Sequence, residues 1–562
     1  MPSTAMNILL INQYYLSDAL RHMGHRVEVF FPPETSNPGP HPESLSLEQI
    51  VRDKDFIPDL VVVGLMGYRH FVHGLEDCPY PLAAVATDAP LNMFWLAQYL
   101  RLFDWVFVDQ KDSRDHLLDQ GIPAQWLPLS VSRYLVAPPF ARPKEHGITF
   151  VGHVDEQRLK RQWLLNQVDQ HFPLTREGGQ GQSRMSVPAM LDLFARSKIV
   201  LNEVMFPGMT LRVLQGLASG SLVLAEDRGN GLSDLFTDGE HLALFTPETL
   251  RPKAAYYLAH DQERERVAAQ GREEVLKHHL SEHRAQTLLK HIAHNPPCRA
   301  NLPERLANAA LAYLHVSQRY PMHEQRLRTM SRRAALRAME ALGTLNGHGD
   351  LVRGLACSVL GRLHLDEEQV EHAQHLLTET ALLLRSDPLP LLTLARIAEN
   401  RGHSRQAATL YVSALQRLGQ GQTVDLAADL ARSGEFGPKL WLAVGNVLLE
   451  RGKVRDPGFI KARDEEYPSS AEEWFALAAR GDSGLEPILA LGKSARISGQ
   501  DDQAALCFAR VLEMDPTLHE AALLGSAAAK AAYNPDLARV MQMRALSGLR
   551  HEPQHLGQAA SL

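Results

Sequence analysis

Up to about residue 290 the chain alternates short apolar runs with helical stretches, and beyond about residue 295 the short runs stop. The two patterns need different architectures. In the first part, Asn7–Ile11, Arg26–Phe31, Leu60–Gly64, Leu82–Ala86, Trp105–Val108 and Ala124–Leu127 read as strands bounded by turn residues, with helical patterns between several of them. Leu60-Val61-Val62-Val63 is apolar throughout, as a strand buried on both faces must be. This predicts a parallel sheet with helices on both faces. Pro138, Pro139 and Pro143 then mark Val131–Gly147 as a linker, since proline resists both helix and interior strand. A second set of strands follows: Ile148–Val151, Lys198–Asn202, Leu222–Ala225 and Leu242–Phe245.

Two such sheets in series predict two Rossmann-like lobes around one cleft, with ligands at the carboxyl ends of the strands. From Leu302 onward Ala, Leu, Gln, Glu and Arg dominate, and apolar residues recur at helical spacing. An order repeats there. Leu394-Ala395, Gly402, Ala407, Tyr411 and Ala414-Leu415 are matched by Leu491-Gly492, Gly499, Ala504, Phe508 and Val511-Leu512, with Pro516 after them. Trp441, Gly445 and Gly452 repeat the first half. These spacings resemble the tetratricopeptide repeat, a helical hairpin of about 34 residues. An irregular helical bundle is the other reading. The expected domains are residues 1–135, an acceptor-side lobe; 136–295, a donor-side lobe; and 296–562, a helical repeat domain.

Composition excludes several classes. Of 562 residues, 45% are hydrophobic and 22% charged, which is ordinary for a globular protein, and the net charge of -7 argues against nucleic-acid binding. No apolar run approaches the roughly 18–20 residues of a membrane span. No basic segment followed by an apolar core opens the chain, so no signal peptide is expected. Cys78, Cys298, Cys357 and Cys507 are far apart and form no CxxC pair, which fits a reducing cytoplasm better than a disulfide or zinc framework.

The most informative stretch runs from Lys198 to Leu224 and reads as strand, loop, helix, tight turn, strand. Gly208, flanked by Pro207 and Met209, lets backbone approach a ligand. Thr210 is a suitable N-cap for a helix starting at Leu211. Free amides and the helix dipole favour an anion such as a diphosphate there. Arg212 can neutralise phosphate without a metal, and Gln215 lies on the same helix face. A routine β-α-β unit with no ligand satisfies the same spacing. In the N-terminal half, Asp88, His70 and His73, with Arg69, follow strand ends, where a carboxylate or imidazole can take an acceptor's proton. Asp88 can equally cap the next helix, and the histidines can be plain loop residues. There is no Asp-x-Asp and no GxxxxGK[ST] in this half, which points away from a divalent metal and from a P-loop.

Leu201-Asn202, Gly208, Leu211-Arg212, Gln215, Leu217-Ala218, Gly220 and Val223-Leu224 resemble the C-terminal lobe of GT-B glycosyltransferases, the group 1 type with CgeB-like proteins. Gly271, Val275-Leu276, His279 and Arg284 resemble that family's closing helices. Phe103–Lys111 and Gly121 to Leu127-Pro128 resemble the end of its N-terminal lobe, and Leu20, Gly24-His25 and Val27 its first β-α-β turn. The resemblance covers residues 6–290. It implies a metal-independent transferase with a nucleotide-sugar co-substrate and no further cofactor. Asn202, Glu203, Gly208, Met209, Thr210, Arg212 and Gln215 would hold the donor, with Gly152 at a strand end and Arg158 as a further cation. Many relatives carry an acid where Gln215 stands, and Glu203 can partly compensate. Arg158 and Glu203 also fit as solvated surface charges.

The expected function is sugar transfer from a nucleotide-sugar to a hydroxyl acceptor. The repeats would dock a protein acceptor, of which flagellin is one candidate. On that reading, cutting the chain near residue 295 leaves nucleotide binding intact and removes transfer to the protein. The rival is a non-catalytic scaffold with a degenerate nucleotide-binding module, favoured by Gln215.

Overall fold

The computed structural model describes residues 5–13, 15–30, 45–54, 56–66, 72–136, 142–155, 158–179, 185–319, 324–342, 349–454, 466–481 and 484–549. In the first lobe the strands are β1 (Asn7–Ile11), β2 (Arg26–Phe30), β3 (Leu45–Ser46), β4 (Leu60–Met66), β5 (Val72–His73), β6 (Leu82–Thr87), β7 (Trp105–Val108) and β8 (Ala124–Trp126). Six of them form one parallel sheet in the order β2-β1-β4-β6-β7-β8, and β3 pairs with β5 apart from it. Ile8 faces Leu60 and Val61 faces Leu82, so the all-apolar runs lie side by side in the middle of the sheet. Every residue of β6 is buried, as a strand with helices on both faces requires.

The second lobe is built from β9 (His146–Val154), β10 (Leu174–Gly179), β11 (Ser197–Asn202), β12 (Leu222–Glu226) and β13 (Ala243–Phe245). Their order is β10-β9-β11-β12-β13, again all parallel. Strand order reverses between β1 and β4 in one lobe and between β9 and β11 in the other. These are the switch points where open α/β sheets bind ligands. The sequence reading missed β10. It is an edge strand of sequence LTREGG, with no apolar run to mark it.

The helix Ser281–His294 returns to the first lobe, although the sequence reading assigns it to the second. Ala285 and Leu288 join the core of Ile8, Leu10 and Phe107, and His291 meets the Phe107 ring edge-on at 5.2 Å. Arg284 donates to the carbonyls of Pro128 (2.7 Å) and Leu129 (3.2 Å), fixing the strand of chain between the lobes.

From Leu302 to Leu549 the described residues are helical, with no strand among them. Neighbouring helices pack as hairpins, for example Leu389–Asn400 on Ser404–Leu418 and Leu485–Ile497 on Asp501–Met514. Ala395, Ala407, Tyr411 and Ala414 are fully buried at these contacts. A Cβ on Gly492 would stand 2.8 Å from the Phe508 ring, so glycine sets how closely those two helices approach. Among the described residues no helix is long and apolar enough to cross a membrane.

The two ends of this helical array rest on different lobes. At its start, Tyr313 donates to Glu76 Oε2 (2.8 Å), and Arg337 grips both Asp77 oxygens at 2.7 Å. Helix Leu302–Arg319 shares one core with helix Ala89–Leu100 of the first lobe. At its far end, Tyr533 is buried in the core of the second lobe beside Phe245.

Candidate functional site

At the carboxyl edge of the second sheet, Arg212 reaches from the helix Leu211–Ala218 across the ends of β9 and β11. Its Nε donates to Val151 O (2.9 Å) and its Nη1 to Asn202 Oδ1 (3.1 Å), while the guanidinium lies 4.4 Å above the Phe150 ring. A Cβ at Gly152 would stand 2.5 Å from Arg212 Nη2. Glycine is needed there to admit the arginine. Burial lowers the Arg212 pKa to about 9, with the Arg161 charge adding to the effect, and the group still stays charged at neutral pH.

Thr210 occupies the N-cap position, but its hydroxyl turns away from the helix and donates to Asn202 Oδ1 (2.7 Å). The first turn therefore keeps side-chain-free amides, which raises its positive end. Asn202 is fully buried, and its Nδ2 donor has no partner. A buried unpaired donor costs on the order of 1–3 kcal/mol, and such costs concentrate where a ligand supplies the missing acceptor.

Beneath these groups lies a buried ion network. Arg161 binds Glu203 Oε2 at 2.6 Å, and Lys160 binds both oxygens of Glu226 at 2.7 and 2.8 Å and stands 3.7 Å from Glu203. Glu203 is thus an internal charge, not a solvated loop acid. Burial alone would raise its carboxyl, but Arg161 and Lys160 outweigh that and hold it below the ordinary carboxylate range. Its backbone carbonyl also accepts from Arg212 Nη1 at 3.4 Å. Arg158 stands outside the network, as it pairs with Asp155 at the start of helix Leu159–Asp169. Only tertiary contacts distinguish residues 158, 160 and 161: Lys160 and Arg161 enter the network, and Arg158 pairs with Asp155.

The first lobe contributes an acid pair. Asp88 follows β6 in a left-handed conformation (φ 52°), and its side chain makes no capping bond to helix Ala89–Leu100. Such a conformation costs a non-glycine residue on the order of 1 kcal/mol. Asp88 is exposed at the end of β6, and partial desolvation raises its carboxyl pKa. Asp109 follows β7 and is buried. Burial first, and then the neighbouring Asp88 charge, push it up to about 8. Asp109 Oδ1 has no hydrogen-bond partner.

Gln110 joins the two edges. Its Nε2 donates to Asp109 Oδ2 (3.2 Å) and, across the cleft, to Met209 O (3.2 Å). Gly208 (φ 137°) lies directly against Gln110, and any Cβ there would collide with the Gln110 amide oxygen. The glycine loop therefore approaches the other lobe. Asn230 reinforces the contact, donating to Pro207 O (2.7 Å) and accepting from the Asp112 amide (2.7 Å).

Not every expected residue gathers here. The Met209 side chain is buried in the second lobe's core, leaving only its carbonyl at the cleft. Gln215 is half-buried in the middle of its helix, with no side-chain hydrogen bond to the groups above. His73 lies 3.5 Å from Arg326 of the helical array. His70 and Arg69 lie outside the described residues. Lys160, Glu226, Asp109 and Gln110 were not assigned roles from sequence. Their signal is only position: each directly ends or follows a strand, or opens a helix, at the carboxyl edge.

A family model described as glycosyl transferase-like matches residues 158–290, which include Lys160, Glu203, Arg212 and Glu226. No curated protein matches the chain. Among solved structures, sucrose-phosphate synthase from Thermosynechococcus elongatus is 13% identical, covering 50% of this chain and 97% of its own, with a TM-score of 0.35. The Anabaena protein HepE, solved with UDP-glucose, is 12% identical over 51% of this chain and 99% of its own, with a TM-score of 0.35. The catalytic domain of starch synthase IV from Arabidopsis thaliana, bound to ADP and acarbose, is 9% identical over 51% and 98%, with a TM-score of 0.40.

Proposed function

We propose that this chain is a glycosyltransferase that moves a sugar from a nucleotide-sugar to a hydroxyl group, with a protein as acceptor. The observation that carries the proposal is the buried, unpaired Asn202 Nδ2 beside Arg212 at an uncapped helix start, joined through Gln110 to the Asp88–Asp109 pair. The glycosyl transferase-like match over residues 158–290 supports the same reading.

In this mechanism the donor diphosphate rests on the first-turn amides of helix Leu211–Ala218. Arg212 and Asn202 Nδ2 donate to it, and Gly208 and Thr210 border it. The bond between the sugar's anomeric carbon and the phosphate oxygen breaks, and the electron pair leaves with the diphosphate. The acceptor oxygen bonds to the anomeric carbon, and its proton passes to Asp88. Asp109, protonated at neutral pH, leaves the negative charge of the pair on Asp88. Arg212 and the first-turn amides provide the leaving-group stabilisation that a metal provides elsewhere. The stacked hairpins offer an extended surface suited to a polypeptide acceptor.

The Arg212→Ala variant tests the donor site. Losing a charge-assisted contact is expected to weaken nucleoside diphosphate binding about tenfold or more in calorimetry. Unchanged affinity in a folded variant would sink the assignment. Transfer is also expected to survive EDTA, and complete loss with rescue by Mn²⁺ would show that a metal carries the leaving-group charge. A scaffold with a degenerate module is the second reading, favoured by the uncharged Gln215. It predicts that no nucleotide raises the melting temperature of the full chain.

A further inference from the structure

We infer that the far end of the helical array supports the donor site, and that Tyr533 is a positioning residue that acts on the donor-binding Arg212 through Glu226. The inference rests on the donor site proposed above.

Tyr533 sits between helices His519–Ala531 and Pro535–Leu549, in a left-handed conformation (φ 63°). A bulky aromatic residue rarely adopts it, because Cβ crowds the backbone. The surrounding structure holds it there. Its ring is buried in the core of the second lobe, 6.1 Å from Phe245, and Lys160 Nζ lies 5.9 Å from its centre. Its hydroxyl donates to Glu226 Oε1 at 3.1 Å. Burial and the Glu226 charge raise the phenol's pKa, so it keeps the proton it donates.

Glu226 is the last residue of β12 and is buried. Its remaining hydrogen-bond partners are Lys160 and the Val204 amide (3.1 Å). Lys160 also donates to the Val204 carbonyl at 2.9 Å. Two contacts therefore fix the backbone directly after Glu203, the residue that pairs with Arg161 and whose carbonyl receives Arg212. A chain of contacts runs from Tyr533 through Glu226 and Lys160 to the Glu203–Val204 backbone, whose Glu203 carbonyl accepts from Arg212. The array supports this region twice more. Asp502 accepts the Lys160 amide at 3.3 Å, satisfying a free N–H in the first turn of helix Leu159–Asp169. Asp501 faces Arg228 at 3.8 Å, which in turn lies 3.9 Å from Glu226. The start of that helix is occupied by an array carboxylate, whereas no side chain caps the start of the Leu211 helix.

The test uses the full chain and a double-mutant cycle. Binding of UDP, GDP and ADP is measured by calorimetry for the wild type, Tyr533→Phe, Glu226→Gln and the double variant. Tyr533→Phe keeps the ring in its pocket and removes only the hydroxyl. It is expected to weaken the bound nucleotide by about five- to tenfold, with donor KM rising more than kcat falls. The effect is expected to vanish in the Glu226→Gln background, because contacts acting as one unit are not additive. Tighter or unchanged binding in Tyr533→Phe, or the same loss with and without Glu226, overturns the inference while leaving the donor site standing. If the wild type binds none of the three nucleotides, the donor site and the inference fall together. Should Tyr533→Phe not fold, Glu226→Gln alone decides: weaker binding supports the path, and unchanged binding overturns it.

Discussion

Replacing Asp88 by asparagine is expected to lower kcat by about 10²–10⁴-fold, the usual contribution of a positioned general base. Nucleotide binding is expected to stay nearly unchanged, because Asp88 belongs to the opposite lobe. Its geometry departs from that of a helix cap. A capping aspartate would bond the helix amides, and Asp88 does not. It instead holds a strained backbone at the end of β6, one strand from a second carboxyl. Asp109→Asn supplies the control, since the amide mimics the protonated acid present at pH 7. That variant is expected to retain most transfer. It also has a sign in stability. The folded-state pKa of Asp109, about 8, lies above its unfolded value, so its stabilising contribution is full in acid and is lost as pH rises through that value. The melting temperature of the wild type is therefore expected to fall relative to Asp109→Asn as pH rises toward 8. A kcat for Asp88→Asn close to wild type would remove Asp88 as the base. A pH-independent melting difference would show that Asp109 is not held protonated.

Cutting the chain near residue 295 is expected to destroy the catalytic half, not to isolate it. The sequence suggests that nucleotide binding survives this cut, because the lobes and the helices look like separate units. The structure joins them through one core. Helix Ala89–Leu100 carries Met93, Phe94, Trp95, Leu96 and Leu100 in a cluster shared with Leu306, Tyr313 and Leu314 of the array. Uncovering three or four large side chains costs roughly 1.5–3 kcal/mol each. That sum, roughly 5–12 kcal/mol, is comparable to the entire net stability of an ordinary protein. The buried Glu76 would lose Tyr313, and Glu226 would lose Tyr533 at the other end. The expected result is aggregation, or a melting temperature lowered by well over ten degrees, with nucleotide binding lost as well. A soluble 1–295 fragment that binds nucleotide like the full chain would show that the array is an appendage.

The elements legible in the sequence are those whose signal is local. The apolar runs that became β1, β4, β6, β7, β11 and β12 stand out because a strand buried on both faces has no polar position to interrupt it. β10 escaped because an edge strand needs no such run. Asn202, Glu203, Gly208 and Arg212 were legible because one strand-loop-helix unit carries all four. Asp88 was legible by its place after a strand, although only the structure separated it from a helix cap.

By itself the sequence determined the two parallel sheets, the change to helices after residue 295, and the loop that opens the Leu211 helix. All of these follow from periodicity and turn chemistry within a few residues of each other. Tertiary structure alone decided which charges are buried and what they touch. Lys160 meets Glu226 across 66 residues of sequence, Gln110 meets Met209 across 99, and Tyr533 meets Glu226 across 307. No local pattern encodes such pairs, because burial turns an ordinary lysine, glutamate or tyrosine into a partner only when distant elements remove the water between them.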